Sequence, residues 1–190
     1  MEFVFLVLGL LVLVVGYAWY AAIVSRRNKV AEALGSIDAH LQQRADLVPN
    51  LLKLARRYME HERSLVEDVT RLRGEAQAPY DKTDPGAVGR HLAAAEALDG
   101  RLGQLRVQVE AYPELRSEGT VTAALERMAE VEAQLTAARR YYNAAVAELN
   151  TAIQIFPGTL IAERTGTKAL PSYAAQTEAR GPIDADAYLT

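Results

Sequence analysis

The 190-residue chain contains no cysteine. That excludes disulfides, thiolate metal sites, cysteine nucleophiles and a cysteine-borne lipid anchor. Glycine and proline are scarce, at 12 and 7 residues, so turn-dense sandwiches and barrels fit poorly. Basic residues are not in excess: 21 Lys and Arg face 24 Asp and Glu. No surplus is left to neutralise phosphates, and no nucleic-acid partner is expected. Neither of the glycine-rich phosphate cradles, GxxxxGK[ST] or GxGxxG, occurs, and no serine sits in a nucleophile elbow. The three histidines, His40, His61 and His91, include no i, i+4 pair. His61-Glu62 starts like a zincin motif, but the second histidine is replaced by Leu65. These absences leave no expected catalytic residue, metal site or cofactor.

Half of the residues are hydrophobic, enough for a real core and too much for wholesale disorder. The apolar material is unevenly placed. Phe3 to Ser25 carries no charge, and this run of roughly 23 residues exceeds the ~20 that cross a hydrocarbon core. Tyr17, Trp19 and Tyr20 stand where an interfacial aromatic belt would lie, and Arg26, Arg27 and Lys29 stop the run. A cleaved signal would need a basic n-region and a shorter apolar core, so a retained anchor is expected. The basic flank follows the run, which puts the N-terminus outside and the rest of the chain in the cytoplasm. Arg26, Arg27 and Lys29 are candidates for contact with anionic headgroups. Gly9 and Gly16 share a helix face but lack the tight small-xxx-small spacing of a packing seam.

Beyond Lys29 the pattern is helical. Val30, Ile37, Leu51, Tyr58, Leu65 and Leu72 keep one seven-residue register, and Leu34, Leu41, Val48, Ala55 and Val69 keep another. Pro49 falls inside this stripe. Asp46 can cap a new helix running from Leu47 to Leu72 with Pro49 in its first turn. A single kinked helix is the alternative. A linker spans Gly74 to Gly86, where Thr83 or Asp84 can cap the next helix ahead of Pro85. That helix carries Val88, Ala95, Leu102 and Val109, and stops at Tyr112-Pro113. A last long helix, with Thr120 as candidate cap, carries Val121, Met128, Leu135, Tyr142 and Leu149 up to Phe156-Pro157-Gly158. The expected fold is all-α: a transmembrane helix followed by an antiparallel, up-and-down-like bundle of about four helices. The expected division is an anchor at 1–25, a bundle at 26–162 and a partly mobile tail at 163–190.

Four charges interrupt the apolar stripes: Arg44, Glu62, Glu132 and Arg139. An isolated charge in a dry core costs several kcal/mol, so each must pair or reach water. Three readings fit: a network that fixes helix register, arginine stems lying on the seam with wet heads, or a binding cleft. His91, close to a seam, reads as a core or interface histidine.

Several words of this sequence resemble the LemA family of bacterial single-pass membrane proteins. They are Arg27-Asn28-x-Val30, Ser36-Ile37-Asp38, Arg44-x-Asp46-Leu47-Val48-Pro49-Asn50-Leu51, Glu110-Ala111-Tyr112-Pro113-Glu114-Leu115, Ala138-Arg139-Arg140, Tyr142-Asn143, Asn150-Thr151 and Phe156-Pro157. The chain departs from the family where Leu149 replaces an aromatic. It departs again where Thr165-Gly166-Thr167 stands in place of a Phe-Gly-Phe segment. The resemblance implies a helical bundle on a membrane anchor and no known enzymology. Family members are often encoded near a heat-shock membrane metalloprotease, and some belong to bacterial organelle-membrane systems. The function expected is therefore a non-enzymatic scaffold or adaptor in the bacterial inner membrane. It would self-assemble as a homo-oligomer or bind a membrane partner, for which the resemblance suggests such a protease. The alternative is a membrane-shaping or membrane-stress protein acting by direct lipid contact.

Overall fold

In a computed structural model, residues 1–58, 62–114 and 118–173 are described. Every regular element among them is a helix: α1 (Glu2–Tyr58), α2 (Arg63–Ala76), α3 (Pro85–Ala111), α4 (Gly119–Gln154) and α5 (Gly158–Thr165). The N-terminal apolar run and the first bundle helix are one element. At 57 residues, α1 is about 85 Å long. Residues 3–15 are all exposed, and Ile23, Val30, Leu34 and Ile37 are buried.

α1 passes through Pro49 without stopping, so no helix starts at Leu47. A mid-helix proline costs about 3 kcal/mol. Here Pro49 is exposed, while its neighbours Val48, Leu51, Leu52 and Ala55 are buried. Each such aliphatic side chain contributes about 1.5–3 kcal/mol when fully buried, so packing outweighs the lost hydrogen bond. Asp46 does not cap; it accepts a bond from Gln42 Nε2 at 2.8 Å on the same helix. The chain turns instead after Tyr58. Glu62 precedes α2 without a capping bond from its side chain, so the sequence carried no local stop signal there.

The other boundaries follow local chemistry. Asp84 caps α3 by accepting from the amides of Gly86 and Ala87, with Pro85 in the first turn. Tyr112 ends it before Pro113, in extended backbone. α4 starts at Gly119 without a side-chain cap, so Thr120 plays no capping role.

Cross-bonds set the topology. Gln77, just past α2, bonds Gln42 of α1, and Tyr112 at the end of α3 bonds Glu62. Tyr58 bonds Glu118, ahead of α4, and Lys29 bonds Glu148 near the end of α4. The helices therefore run up, down, up and down. Two apolar cores result. The one nearer the apolar run holds Ile23, Val30, Ile37, Leu135, Tyr142, Val146 and Leu149. The far one holds Val48, Leu51, Val69, Leu102, Leu105 and Val121.

α2 is short, and residues 166–173 occupy the space it leaves near the first core. Gly166 closes α5 in the left-handed conformation, at φ 67°, and the chain then runs extended along α4. Leu170 and Tyr173 are buried there. The tail is thus packed as far as Tyr173, and residues 174–190 lie outside the described residues.

Candidate functional site

Between the two cores lies a layer of charge. Arg44 from α1, Asp99 from α3, and Glu132 and Arg139 from α4 meet there. Arg44 Nη2 donates to Asp99 Oδ1 and lies 3.1 Å from Glu132 Oε2. Arg139 donates to Asp99 Oδ2 at 3.3 Å from both Nη1 and Nη2, and its Nη1 lies 3.7 Å from Glu132 Oε1. The Arg139 guanidinium also stacks 4.5 Å over the Tyr173 ring, so the extended segment after α5 covers this side of the layer. Arg44 is 4% exposed and Asp99 7%.

Burial pushes the Asp99 carboxyl up, but the flanking Arg44 and Arg139 outweigh it and hold the value below the ordinary aspartate range. Glu132 moves the other way: burial raises it, Asp99 beside it adds to the rise, and Arg44 and Arg139 offset only part. Arg44 Nη1 and Arg139 Nε make no hydrogen bond among the described residues. A buried ion network with unmet donors is a weak source of stability, because desolvation offsets much of the attraction.

Three of the four charges singled out in the sequence meet in this layer, and Glu62 does not. It lies at the far end of the bundle, accepting from Tyr112 Oη at 3.1 and 3.0 Å. The fourth member, Asp99, was missed. The spacing Leu92, Ala95, Asp99, Leu102 places it on the seam, and that pattern was the available signal. A cleft of about 830 Å³ opens beside the layer, lined by Gly100, Gly103, Leu125, Met128 and Glu132 among others.

A second polar cluster surrounds Asp38. Lys82 Nζ lies 2.6 Å from Asp38 Oδ2, His91 Nε2 lies 3.0 Å from Oδ1, and Tyr80 Oη donates to Oδ1 at 3.1 Å. Tyr80 and His91 stack at 3.9 Å between centroids. Burial raises the Asp38 carboxyl, but His91 and Lys82 lower it further, and the net direction is down. Burial and Asp38 together push the Tyr80 phenol well up, so it remains a donor. His91 is therefore a buried partner in a clamp between α1, the α2–α3 loop and α3.

Two asparagines on α4 form a third arrangement. Asn150 Nδ2 donates to the Leu170 carbonyl at 2.9 Å, and its Oδ1 accepts from the Leu170 amide at 3.0 Å. Asn143 does the same with Tyr173, at 3.1 and 2.7 Å. Tyr142 Oη donates to the Pro171 carbonyl at 2.6 Å. Seven residues apart on one helix face, the two amides imitate a strand edge and hold residues 170–173 to α4.

Among the headgroup candidates, Lys29 Nζ donates to both oxygens of Glu148, at 3.0 and 2.9 Å, Arg26 donates to the Ala22 carbonyl, and Arg27 is exposed. Among the described residues no three His, Asp or Glu side chains are grouped so as to hold a metal ion. His61 lies outside them.

The sequence profile of the LemA family matches residues 33–185. The chain belongs to the LemA family. Magnetosome protein MamQ of Magnetospirillum gryphiswaldense is 25% identical over 184 residues, covering 86% of this chain and 68% of that protein. The LemA match takes in the charge layer, the Asp38 clamp and both asparagine straps. It begins after the apolar run, whose helix is long and apolar enough to cross a membrane.

Proposed function

We propose that the chain is a membrane-anchored, non-enzymatic helical scaffold, which offers its bundle to copies of itself or to a membrane partner. The observation that carries this reading is the continuity of α1. One helix supplies both the apolar span and the buried seam of the bundle, with no joint between them. Such a helix transmits the position of the anchor to the bundle. The basic flank at Arg26, Arg27 and Lys29 favours an N-terminus outside and a cytoplasmic bundle at the bacterial inner membrane. A membrane metalloprotease is one partner that the family resemblance suggests.

The chemistry of the interior supports a contact role. Asp99, Glu132, Arg44 and Arg139 neutralise one another across three helices, and Asp38 is committed to Lys82, Tyr80 and His91. These groups act on the fold, leaving the outer faces for contact. The scaffold reading is tested by crosslinking in intact membranes followed by mass analysis of the captured species. Captured copies of the chain, or one recurrent membrane protein, are expected. A strictly monomeric chain that captures neither would contradict the proposal.

A further inference from the structure

The corner between α4 and α5 exposes a patch that the scaffold reading leaves unused. Ile155 is 50% exposed, Phe156 75% and Leu160 55%. Among the described residues beyond Val24, only Val107 and Tyr141 are other large apolar side chains so exposed, and they stand apart in sequence. On α5 the neighbouring Ala162 is buried and Ile161 packs on the core, so Leu160 faces outward from an amphipathic turn.

The position of this corner along α1 suggests what covers it. Gly158 lies against Trp19: a Cβ added to Gly158 would stand 3.4 Å from Trp19 Cζ3. Trp19 belongs to the uncharged run. Counting about 20 residues from Phe3, the length that crosses the hydrocarbon core, ends at Ala22. Trp19 is therefore nearly one turn inside that limit. Ile23, at its edge, is already buried by protein. Arg26 stands about 10 Å beyond Trp19 along the helix axis. The bundle thus grips α1 before the lipid-length segment has ended, and the corner that does so carries three outward apolar side chains. Beyond α5 the chain returns to charged ground, since Lys168 lines a cleft together with Arg27, Asp81, Lys82 and Asp84.

We propose that Ile155, Phe156 and Leu160 enter the bilayer at the boundary between headgroups and acyl chains, beside α1 and on the same side as Arg26 and Arg27. The occupant of the patch is lipid, and the scaffold meets the membrane at a second point. An apolar patch continuous with a spanning helix has the chemistry of an interfacial segment. Lipid contact at two points would fix the tilt of the bundle, because one helix alone leaves tilt to its neighbours.

This inference rests on α1 spanning the bilayer, and the test separates the two. The absence of cysteine allows single labels in the full-length chain. Phe156→Cys, Leu160→Cys, Val12→Cys and Glu67→Cys are each labelled with an environment-sensitive fluorophore. The proteins are reconstituted in phosphatidylcholine–phosphatidylglycerol vesicles containing lipids spin-labelled near the headgroup or deep in the chain. The side chains at 156 and 160 already point outward, and the emission of Trp19, the single tryptophan, checks that the corner is intact. The label at 12 is expected to respond to the deep quencher. The labels at 156 and 160 are expected to respond to the shallow one, about threefold more strongly than the label at 67. Quenching at 12 with 156 and 160 no different from 67 would overturn the inference and leave the anchor standing. A label at 12 that no lipid quencher reaches would overturn both. Disulfides formed on oxidation between unlabelled Phe156→Cys copies, with no lipid quenching of the labelled ones, would assign the patch to a second chain and also overturn it.

Discussion

At the scale of single residues, Asp99 carries the most. It is the one anion that both arginines of the layer touch directly with hydrogen bonds. Removing it leaves the buried Arg44 and the part-buried Arg139 with Glu132 alone between them, and breaking a buried pair costs about 3–5 kcal/mol. Asp99→Ala should therefore lower the thermal midpoint of the full chain in detergent markedly. Replacing the pair together, as Arg44→Met with Asp99→Leu, should recover much of the loss, because apolar side chains of similar volume avoid the desolvation cost. If the double variant melted below both single variants, the layer would be a major source of stability, contrary to this account.

The layer also fixes a pH dependence. A depressed folded value means that the Asp99 contribution is present above the ordinary aspartate value, about 3.9, and is lost as pH falls through the lower folded value. Asp38 has the same sign. Glu132 has the opposite one: its raised folded value adds a little stability as pH falls from neutrality through it. Melting curves from pH 7 downward should therefore rise slightly or hold flat and then drop steeply. In Asp99→Asn the steep limb should shrink. An unchanged acid limb in that variant would remove Asp99 from the explanation.

At the scale of elements, the sequence was legible wherever a boundary has a local cause. Asp84-Pro85 starts a helix, Tyr112-Pro113 ends one and Phe156-Pro157-Gly158 ends another, each through groups within a few residues. The two misread boundaries had no such cause. Pro49 is held in helix by the buried side chains around it, and α2 starts at Arg63 without a capping bond from the Glu62 side chain. Extending one apolar register across that turn also placed Glu62 on the same seam as Arg44. The strap by Asn143 and Asn150 was visible only as two family words, since an amide's partner 20 or 30 residues away leaves no periodic trace. Asn150→Ala should expose the Leu170 amide and carbonyl, each a part-buried group whose lost bond costs about 1–3 kcal/mol. Hydrogen exchange at residues 167–173 should quicken strongly while the middle of α1 stays protected. Equal protection in Asn150→Ala and the unaltered chain would mean that apolar packing alone holds the extended segment.

At the scale of the whole molecule, two cores with a charged layer between them give one bundle with a defined register, mounted on the helix that leads into the apolar run. All-α architecture, the anchor candidate and most of the core were legible, because periodicity and length report them directly. The exit of one straight helix from the apolar run into the bundle was legible too, since no breaker separates Tyr20 from Gln43; its passage through Pro49 was not, since only tertiary packing overrides that proline. That continuity is the central claim, and pulsed electron resonance tests it in the cysteine-free chain. Spin labels replace Leu8, exposed in the apolar run, and Ala39, exposed on the outer face of α1 within the bundle. In lipid nanodiscs the account predicts a single narrow distance near 46 Å, about 1.5 Å per residue along one helix. A broad distribution, or a distance much shorter than this, would mean a joint between anchor and bundle and would contradict it.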